Sequence, residues 1–368
     1  MKILITGANG FLAKNLRVHL SERQDLKVVL FSREDDVESL ESKLVDVDFV
    51  FHLAGVNRPK TESEFTEGNA DLTRELCRML EKTGKDVPVL YTSSIQAALD
   101  NPYGKSKLEA EQAIKSYAEK SGASAYIFRL PNVFGKWSKP NYNSVVATFC
   151  NNIANDLPIQ INDPSHLVRL VYVDDVVKRF ISIVDGAIEE TTFCEVSPVY
   201  EITVGDLADK IQAYKSSREN LVTEPVGTGL DRALHSTYLS YLKPEQFSYP
   251  LIKHGDERGV FVEMLKTKDS GQFSFFTAHP GITRGGHYHH SKTEKFLVLK
   301  GKALFKFRDV LTDEYYELET NGDDPVVVET VPGWTHDITN IGDDEMIVML
   351  WANEIFDREN PDTYAKPL

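Results

Sequence analysis

The chain has 368 residues, of which 41 are Lys or Arg and 56 are Asp or Glu, so its formal net charge is −15. This acidic balance argues against a protein whose main role is to coat nucleic acid, because affinity for phosphate backbones comes mostly from Lys and Arg. No apolar run reaches the roughly 18 residues that a membrane span needs. Cys77, Cys150 and Cys194 are far apart and lack Cys-x-x-Cys spacing, so we expect free thiols, a reducing compartment and a cytoplasmic location.

The first part of the chain alternates short β-branched runs with helical stretches. The predicted strands are Lys2–Ile5, Val28–Ser32, Phe49–Leu53, Val89–Thr92 and Ala125–Arg129. The predicted helices are Leu12–Leu20, Glu38–Leu44, Ala70–Thr83 and Lys105–Ser121, followed by a helix within residues 200–215 that Thr203 caps. This alternation predicts an α/β fold, with a doubly wound parallel sheet that has helices on both faces.

The last part of the chain consists of short β-rich runs separated by turn residues, which is typical of an all-β sandwich or barrel. The predicted strands are Gly259–Leu265, Gln272–Thr277, Glu294–Lys300, Ala303–Arg308, Tyr315–Leu318, Val326–Glu329, Asp337–Thr339 and Met346–Trp351. Residues 216–243 have no clear strand period, and their Pro225–Gly229 segment resembles a loop. We therefore predict two domains, 1–243 and 244–368.

A glycine-rich turn lies between the first predicted strand and the first predicted helix. Gly7 permits the tight turn, Gly10 lets the backbone approach a pyrophosphate, and the small Ala13 lets the helix pack closely on the sheet. The helix N-terminus would then offer free N–H groups to the phosphates. The motif predicts a Rossmann-type dinucleotide site, and Arg33 after the second strand suits a 2′-phosphate, which favours NADPH over NADH.

Three further residues fit the reduction of a ketone. Ser94 ends a predicted strand, and Tyr103 and Lys107 lie four residues apart on one face of the next helix. Tyr103 can donate the proton, Lys107 can lower its pKa and bind the nicotinamide ribose, and Ser94 can hydrogen-bond the carbonyl.

Residues 1–240 resemble the extended short-chain dehydrogenase/reductase (SDR) family in these motifs and in the 52–57, 129–135 and 171–175 segments. The resemblance implies a nucleotide-sugar enzyme and gives roles to further residues. The residues expected to bind the cofactor are Gly7, Asn9, Gly10, Phe11, Leu12, Arg33, Leu53, Ala54, Gly55, Tyr103, Lys107, Pro131 and Val133. Asn132 is expected on the sugar-nucleotide side.

The C-terminal part carries a predicted metal site. His287, His289 and Glu294 lie within eight residues, and His336 follows downstream. In a strand, residues 287 and 289 would point to the same face. Three His and one Glu with an open position suit zinc, iron, nickel or manganese. The spacing resembles the cupin family from Gly281 to Gly301, and the second motif departs from it only upstream of residue 333.

A second resemblance overlaps the first. Residues 256–263 and 281–287 look like motifs of the sugar-nucleotide 3,5-epimerases, which are also cupins and use a histidine at the place of His287 to remove a proton beside a ketone. A histidine that ligates a cation is not a free base, so His287 is either ligand or base. We favour His287, His289, Glu294 and His336 as ligands, with His290 or Lys253 as the acid/base group and Arg258 and Arg284 as substrate-binding residues.

The whole chain resembles the bifunctional capsular-polysaccharide enzymes of the UDP-N-acetyl-L-fucosamine pathway, also in residues 101–104, 136–145 and 236–242. The resemblance implies that the cupin half epimerises C3 of UDP-2-acetamido-2,6-dideoxy-L-arabino-4-hexulose. The SDR half would then reduce C4 with NADPH to give UDP-2-acetamido-2,6-dideoxy-β-L-talose. It also implies zinc in the cupin and a homodimer.

Three alternatives remain open at this point. The reductase could act alone, with the cupin as a sugar-binding or dimerising module. The cupin could be a metal-dependent dioxygenase, given its ligand spacing. The chain could also be a redox-sensing regulator that binds NADP without turnover.

Overall fold

The computed structural model describes residues 1–187, 192–290, 292–310, 312–359 and 361–368. It divides into two units, one formed by Met1–Ile211 with Arg232–Leu242 and the other by Gln212–Asp231 with Lys243–Leu368. The second unit thus takes in a segment that precedes residue 243. The domain ranges 1–243 and 244–368 remain predictions.

The strands of the first unit run mainly parallel to their neighbours. In chain order they are β1 (Lys2–Thr6), β2 (Lys27–Phe31), β3 (Phe49–His52), β4 (Val89–Ser94), β5 (Ala125–Leu130), β6 (Asn132–Phe134), β7 (Leu167–Tyr172), β8 (Phe193–Cys194) and β9 (Tyr200–Thr203). The main sheet has the order β2-β1-β3-β4-β5-β8, and β6-β7-β9 form a smaller sheet, in which β9 is antiparallel to β7. The strand order reverses between β1 and β3, which is where open α/β sheets bind ligands.

Helices cover both faces of the main sheet. In chain order the helices are α1 (Phe11–Ser21), α2 (Ser39–Lys43), α3 (Ser63–Phe65), α4 (Leu72–Thr83), α5 (Pro102–Ser121), α6 (Val145–Ala154), α7 (Val173–Val184), α8 (Val204–Asn220) and α9 (Gly229–Leu239). Residues of α1 and α7 pack on one face, and residues of α2, α4 and α5 pack on the other. A π-helical turn (Thr66–Asp71) precedes α4, and 3₁₀ turns occur at Ile95–Ala98 and Pro244–Gln246.

Alternate residues of each central strand enter two separate cores. Ile3 and Ile5 of β1 pack with Leu16 of α1 and Phe180 of α7. Leu4 packs on the other face, in a core that contains Leu76 and Leu80 of α4 and Ile114 of α5. This alternation is the period-2 pattern of a strand buried on both faces. The predicted doubly wound, Rossmann-type α/β sheet is confirmed.

The structure differs from the prediction after residue 199. Residues 200–203 form β9 rather than the start of a helix, although the Thr203 hydroxyl does accept the Asp206 N–H at 3.1 Å as the cap of α8. Helix α9 lies within the stretch in which we predicted no element. Its buried residues Ala233, Leu234, Thr237 and Tyr238 follow a helical period. This period is present in the sequence, but the preceding Pro and Gly residues led us to interpret the segment as a loop.

The second unit is almost entirely β-structure. Its strands are β10 (Val222–Thr223), β11 (Lys253–Asp256), β12 (Gly259–Thr267), β13 (Gly271–Ala278), β14 (Thr283–Tyr288), β15 (Glu294–Lys300), β16 (Lys302–Asp309), β17 (Tyr315–Asn321), β18 (Val327–Glu329), β19 (Trp334–Asn340), β20 (Met346–Ala352) and β21 (Tyr364–Ala365). One sheet has the order β10-β12-β13-β20-β15-β18, with β11 on β12, and the other has the order β17-β16-β19-β14-β21.

The apolar core of this unit is rich in aromatic side chains. Phe276 and Phe296 from the first sheet pack with Phe305 and Ile338 from the second. The predicted all-β cupin barrel is therefore confirmed as a fold class, although the sequence reasoning had not assigned β10, β11, β14 and β21. Among the helices that the structure describes, none is long and apolar enough to cross a membrane.

Candidate active sites

The glycine turn of the first unit closes against the end of β3. Gly7 has φ 67°, and a β-carbon there would lie 2.7 Å from the backbone of Ala54. The Gly10 N–H donates to the Gly7 carbonyl at 2.8 Å, and Gly10 is the N-cap of α1. Only glycine fits the first position, because any side chain would meet the neighbouring strand end. The turn therefore presents the exposed backbone of Asn9 and Gly10 at the edge where the strand order reverses.

The other predicted cofactor residues lie at the same carboxyl edge of the sheet. Leu53, Ala54 and Gly55 follow β3, and Pro131 to Val133 follow β5, with Asn132 exposed. A β-carbon at Gly55 would lie 3.0 Å from Lys107 Nζ, so this position brings bare backbone beside the ammonium. Arg33 is exposed two residues beyond β2, while Phe11 and Leu12 are partly buried at the start of α1.

Ser94, Tyr103 and Lys107 come together where β4 meets α5. Burial raises the pKa of the Tyr103 phenol, and the neighbouring Ser94 side chain partly opposes that rise. The Lys107 ammonium is buried, donates to the Thr92 carbonyl at 3.0 Å and lies 5.0 Å from the centre of the Tyr91 ring.

Burial dominates the charge state of Lys107. It lowers the pKa of the ammonium from 10.5 to about 8, and the Glu111 carboxylate partly opposes that lowering. We predicted that Lys107 lowers the pKa of Tyr103, but the net shift of Tyr103 in this structure is upward because desolvation is the larger effect.

Local sequence explains why α5 begins at the right place. Asn101 caps the helix by accepting the Gly104 N–H at 2.8 Å, and Pro102 occupies the first turn, where its missing N–H is not needed. A β-carbon at Gly104 would lie 2.3 Å from the Gln96 carbonyl, so the helix can pack on the preceding turn only with glycine here. This contact fixes Tyr103 beside Ser94.

Sequence reasoning gave no role to several buried polar residues under the site. The His52 ring is hydrogen-bonded to the hydroxyls of Thr6 at 2.7 Å and Thr73 at 2.8 Å. Burial, and to a smaller extent the charge of Lys107, lowers the pKa of His52 to about 3. Asn69 lies in the π-helical turn and donates to Ser106 Oγ at 3.0 Å. Buried polar groups need such partners. The sequence does place Glu111 one helical turn after Lys107, and its carboxylate is buried beside Ser93.

The four predicted metal ligands form a compact cluster in the second unit. One ligand atom from each of His287, His289, Glu294 and His336 lies within 4.8 Å of the others. Glu294 Oε2 is 3.2 Å from His289 Nε2 and 3.5 Å from His336 Nε2. Among the described residues, His336 Nε2 is buried and has no hydrogen-bond partner. An orphaned imidazole nitrogen aimed at a carboxylate and two further imidazoles fits a bound divalent cation.

A glycine bulge aims His287 at the cluster. Gly285 and Gly286 have φ 105° and 78°, and the register between β14 and β19 shifts between Gly285 and His287. The shift places His287 directly opposite His336, and the two ring centres are 4.8 Å apart. Bulges of this kind redirect side chains beside functional sites.

The ionisation states in the cluster suit metal ligation. Burial, and then the neighbouring His336, lowers the pKa of His287 to about 4, so the ring is neutral at physiological pH. Burial alone would raise the pKa of Glu294, but the interactions with His289, His336 and Lys292 outweigh it and lower that pKa. A neutral imidazole and an ionised carboxylate are the forms that bind metal.

Lys292 is a buried charge that sequence reasoning missed. Its Nζ lies 3.1 Å from Glu294 Oε1, and its side chain is 9 % exposed. A lysine is rarely buried without a partner, and this one shares its partner with the predicted metal. Lys292 lies inside the histidine motif, and this position could have indicated a role at the metal site. Residue type alone, however, does not distinguish a buried lysine from a solvated one.

His290 and Lys253 lie differently from the four ligands. His290 is exposed, and its ring packs edge-on against Tyr288 and Tyr364 at 5.5 and 4.7 Å. Lys253 is exposed on β11. Their predicted acid/base roles stay predictions, and neither has a contact with the four-ligand cluster in the described part of the chain.

The two predicted substrate arginines differ in their partners. Arg284 lies 5.2 Å over the Phe276 ring, and its buried Nε has no hydrogen-bond partner among the described residues. Arg258 is exposed and pairs with Asp256, whose pKa the hydrogen bond from Arg258 lowers to about 2. Burial, and then the charge of Arg258, lowers the pKa of Arg284, so the two guanidiniums lie within electrostatic range.

Two protein families match separate parts of this chain. Residues 3–191 match the NAD dependent epimerase/dehydratase family, and residues 254–364 match the Polysaccharide biosynthesis C-terminal domain. The chain is 60% identical over 365 residues to the UDP-2-acetamido-2,6-beta-L-arabino-hexul-4-ose reductase of Pseudomonas aeruginosa, covering 99% of this chain and 98% of that protein.

Solved structures extend the comparison to both units. The capsular polysaccharide assembling protein CapF from Staphylococcus aureus is 44% identical, with a TM-score of 0.93 and full coverage of both chains. The UDP-glucuronic acid 4-epimerase from Bacillus cereus in complex with NAD is 17% identical and covers 66% of this chain and 98% of its own, with a TM-score of 0.56, which shows a shared fold. This chain therefore belongs to the NAD dependent epimerase/dehydratase family, in a form that also carries a polysaccharide biosynthesis C-terminal domain.

Proposed function

We propose that this protein is a bifunctional nucleotide-sugar enzyme that epimerises C3 of UDP-2-acetamido-2,6-dideoxy-L-arabino-4-hexulose and then reduces its C4 ketone. The observation that carries the proposal is the buried Lys107 ammonium, held by the Thr92 carbonyl, one helical turn from Tyr103. A proton donor and a cation at the edge of a sheet of this kind support the reduction of a ketone by a nicotinamide cofactor. The 60% identity to a UDP-sugar 4-keto reductase supports the same substrate class.

The reductase residues have separable roles in this proposal. The nicotinamide cofactor, when bound, supplies the hydride. The Ser94 hydroxyl orients the C4 carbonyl by a hydrogen bond, and the Tyr103 phenol gives the carbonyl oxygen its proton as the ketone becomes an alcohol. The charged Lys107 stabilises the phenolate that remains on Tyr103 and binds the nicotinamide ribose.

The choice of NADPH over NADH rests on Arg33. Its side chain makes no ion pair or hydrogen bond with the described residues, and it is exposed next to the turn that follows β2. An arginine at this edge can bind a 2′-phosphate, whereas an acidic residue would bind a 2′-hydroxyl. The turn formed by Gly7, Asn9 and Gly10 would hold the pyrophosphate.

The second unit would catalyse the epimerisation. A 4-keto sugar has an acidic C3 proton because the carbanion is stabilised as an enolate. The four-ligand cluster fits zinc, with His287, His289, Glu294 and His336 as its ligands, and bound zinc supplies a Lewis acid beside the ketone oxygen. Lys292 adds a positive charge on the Glu294 side of the cluster. Arg258 and Arg284 would bind the anionic diphosphate.

The acid/base group of the epimerase is proposed to be His290, with Lys253 as the alternative. The exposed His290 ring lies between aromatic neighbours and has no contact with the cluster in the described part of the chain. Since His287 is assigned as a ligand, it is not available as the base. We further propose a homodimer and a cytoplasmic location, the latter supported by the buried free thiols of Cys77 and Cys150.

Two substitutions, one in each unit, test the bifunctional proposal. Tyr103→Phe is expected to lower NADPH oxidation with the 4-keto sugar nucleotide by about 10²–10⁴-fold, the usual contribution of a positioned proton donor, and to leave C3 exchange intact. His336→Ala is expected to abolish C3 exchange with solvent while the protein still binds NADPH. A Tyr103→Phe protein as active as wild type would overturn the reductase assignment, and unchanged exchange in His336→Ala would make the cupin a non-catalytic module.

A further inference from the structure

The chain ends in a segment that lies along the predicted metal site. We call residues 362–366 the C-terminal strap. Its strand β21 pairs with β14, so that Ala365 is opposite His287 and Tyr364 is opposite Tyr288. The strap also contacts the glycine bulge and strand β19. The Lys366 N–H donates to the Gly286 carbonyl at 2.9 Å, and the Thr335 hydroxyl of β19 donates to the Lys366 carbonyl.

Asp362 makes three hydrogen bonds to the loop that carries His289. Its backbone carbonyl accepts from His289 Nδ1. Its carboxylate oxygens accept the backbone N–H groups of His290 at 2.9 Å and Lys292 at 2.8 Å. These contacts join positions that are 70 to 73 residues apart in the chain, and they hold the loop at both His290 and Lys292.

The hydrogen bond from His289 Nδ1 determines what the other ring nitrogen can do. With its proton on Nδ1, the neutral imidazole has a free electron pair on Nε2. That Nε2 faces Glu294 Oε2 at 3.2 Å. A carbonyl behind a ligating histidine is the usual device that fixes the tautomer and the ring orientation in metal sites.

Aromatic contacts cover the outer side of the same loop. Tyr364 stacks on Tyr288 with ring centres 5.4 Å apart and meets the His290 ring at 4.7 Å. The strap thus packs against residues immediately before and after His289. Its polar and aromatic contacts both converge on the ligand loop.

We propose that the C-terminal strap is the outer shell of the metal site, with Asp362 as a positioning residue for His289, so that metal binding and strap docking stabilise each other. This inference rests on the metal site of the proposed function. By linkage, if the docked strap strengthens metal binding by some factor, bound metal strengthens strap docking by the same factor.

A merely structural strap would leave metal affinity unchanged. Edge strands are commonly covered to prevent association with other chains, and β21 could serve β14 in that way alone. In that case, loss of the Asp362 carboxylate would lower the free energy of unfolding and would not alter zinc affinity. The two roles therefore differ in a measurable quantity.

The test measures zinc affinity of the full-length protein by competition with a chelator. Asp362→Ala keeps the backbone carbonyl but removes the carboxylate that holds the His289 loop against it, and it is expected to weaken zinc binding by about 10-fold, the low end of the range for a perturbed outer-shell partner. Asp362→Asn retains one acceptor oxygen and is expected to lie between wild type and Asp362→Ala. Glu359→Ala, an exposed carboxylate in the same tail, is the matched control and is expected to bind zinc as wild type does.

Hydrogen exchange gives the reciprocal readout. Zinc added to the metal-free wild-type protein is expected to slow amide exchange in residues 363–366 and at Lys292, and this protection is expected to be lost in Asp362→Ala. Amide protection in β13 and β20, which form the middle of one sheet of the second unit, reports whether each variant is folded. If Asp362→Ala does not fold, Asp362→Asn carries the comparison.

The outcomes separate the two proposals. Wild type that binds no zinc, or binds it equally after His336→Ala, removes the metal site and the strap inference with it. Zinc binding that His336→Ala abolishes but Asp362→Ala and Asp362→Asn leave unchanged, with no change of exchange in the strap, overturns the strap inference alone.

Discussion

Glu111 and Arg129 form a two-point ion pair beneath the reductase site. Glu111 Oε1 accepts from Arg129 Nε at 2.9 Å, and Oε2 accepts from Nη2 at 2.6 Å. The same carboxylate accepts from the Ser93 hydroxyl, and its side chain is 1 % exposed. Ser93 precedes Ser94, and Arg129 lies two residues before Pro131. The pair therefore joins α5 to both strand ends that carry predicted site residues.

Glu111→Gln removes the charge of this pair at nearly constant size. The Arg129 side chain, which is 34 % exposed, then lacks its ionic partner, and we expect the free energy of unfolding to fall by about 2 kcal/mol, less than for a fully buried pair because solvent screens the guanidinium. Urea unfolding measures this change. Glu109→Gln, which breaks an exposed pair with Arg74, is the control and is expected to cost less than about 1 kcal/mol. Equal losses in both variants would contradict the role given to the pair.

The same substitution should change the pH dependence of reduction. The Glu111 charge opposes the lowering of the Lys107 pKa by burial, so its removal is expected to lower that pKa below 8. Reduction needs the charged ammonium and would therefore decline at a lower pH in Glu111→Gln than in wild type. The pH profile of kcat/KM for NADPH-dependent reduction measures the shift. A profile whose alkaline limb stays in place would exclude Glu111 from tuning Lys107.

Lys107 is predicted to lower the stability of the fold that it serves. Its pKa is about 8 in the folded chain against 10.5 in the unfolded chain, so the folded state binds fewer protons between these values. The cost is fully present below pH 8, at about 3 kcal/mol, and disappears as the pH rises toward 10.5. Lys107→Met is therefore expected to unfold at higher urea concentration than wild type at pH 7, with the difference shrinking above pH 8.

The matched control for this prediction is Lys105→Met. Lys105 is exposed and pairs with the exposed Asp100 at 2.7 Å, so its loss should change stability little at any pH. A Lys107→Met protein that is less stable than wild type at every pH would show that the Thr92 hydrogen bond and the Tyr91 contact outweigh the cost of burial.

Arg33 is predicted to determine the choice of cofactor. A charge-assisted hydrogen bond is worth about 1.5–3 kcal/mol, so Arg33→Ala should lower kcat/KM for NADPH by about 10–100-fold and leave the value for NADH unchanged. Steady-state kinetics with both cofactors make the comparison. Lys27→Ala, at the exposed start of β2, serves as a control for the loss of a positive charge. An equal loss with NADPH and NADH would point to a structural role for Arg33.

The bulge before His287 is predicted to be essential for metal binding. A β-carbon at Gly285 would lie 2.8 Å from the His336 carbonyl, whereas one at Gly281 would meet nothing within 4 Å. Both glycines have positive φ, so Gly281→Ala controls for the backbone strain, which costs about 1 kcal/mol. Gly285→Ala should weaken zinc binding at least tenfold in chelator competition. Equal zinc affinity in both variants would contradict the geometry described for β14.

The sequence predicted the groups whose chemistry depends on local spacing. Tyr103 and Lys107 lie one helical turn apart, so helix periodicity places them together. Gly7 and Gly10 share one turn, whereas His287 and His289 come together through the glycine bulge and the loop after β14. Their proximity to Ser94 and His336 also followed from motifs at strand ends.

Other contributors depend on contacts between distant parts of the chain. His289 and Asp362 are 73 residues apart, and Arg129 meets Glu111 only because β4 and β5 are neighbours. The burial of Lys292 depends on how its loop closes, and residue type gives no sign of it. Helix α9 was missed because Pro225 and Gly227, which precede it, predict a loop more strongly than its short apolar period predicts a helix.

The central claim is that one chain joins C3 epimerisation to C4 reduction. The most direct test is to incubate the purified protein with the UDP-linked 4-keto sugar in deuterated water, with and without NADPH, and follow the sugar by NMR. Without NADPH, deuterium should enter C3 and the ketone should remain. With NADPH, the C4 alcohol should form with deuterium at C3. Reduction of the ketone with no deuterium at C3 under either condition would contradict the account.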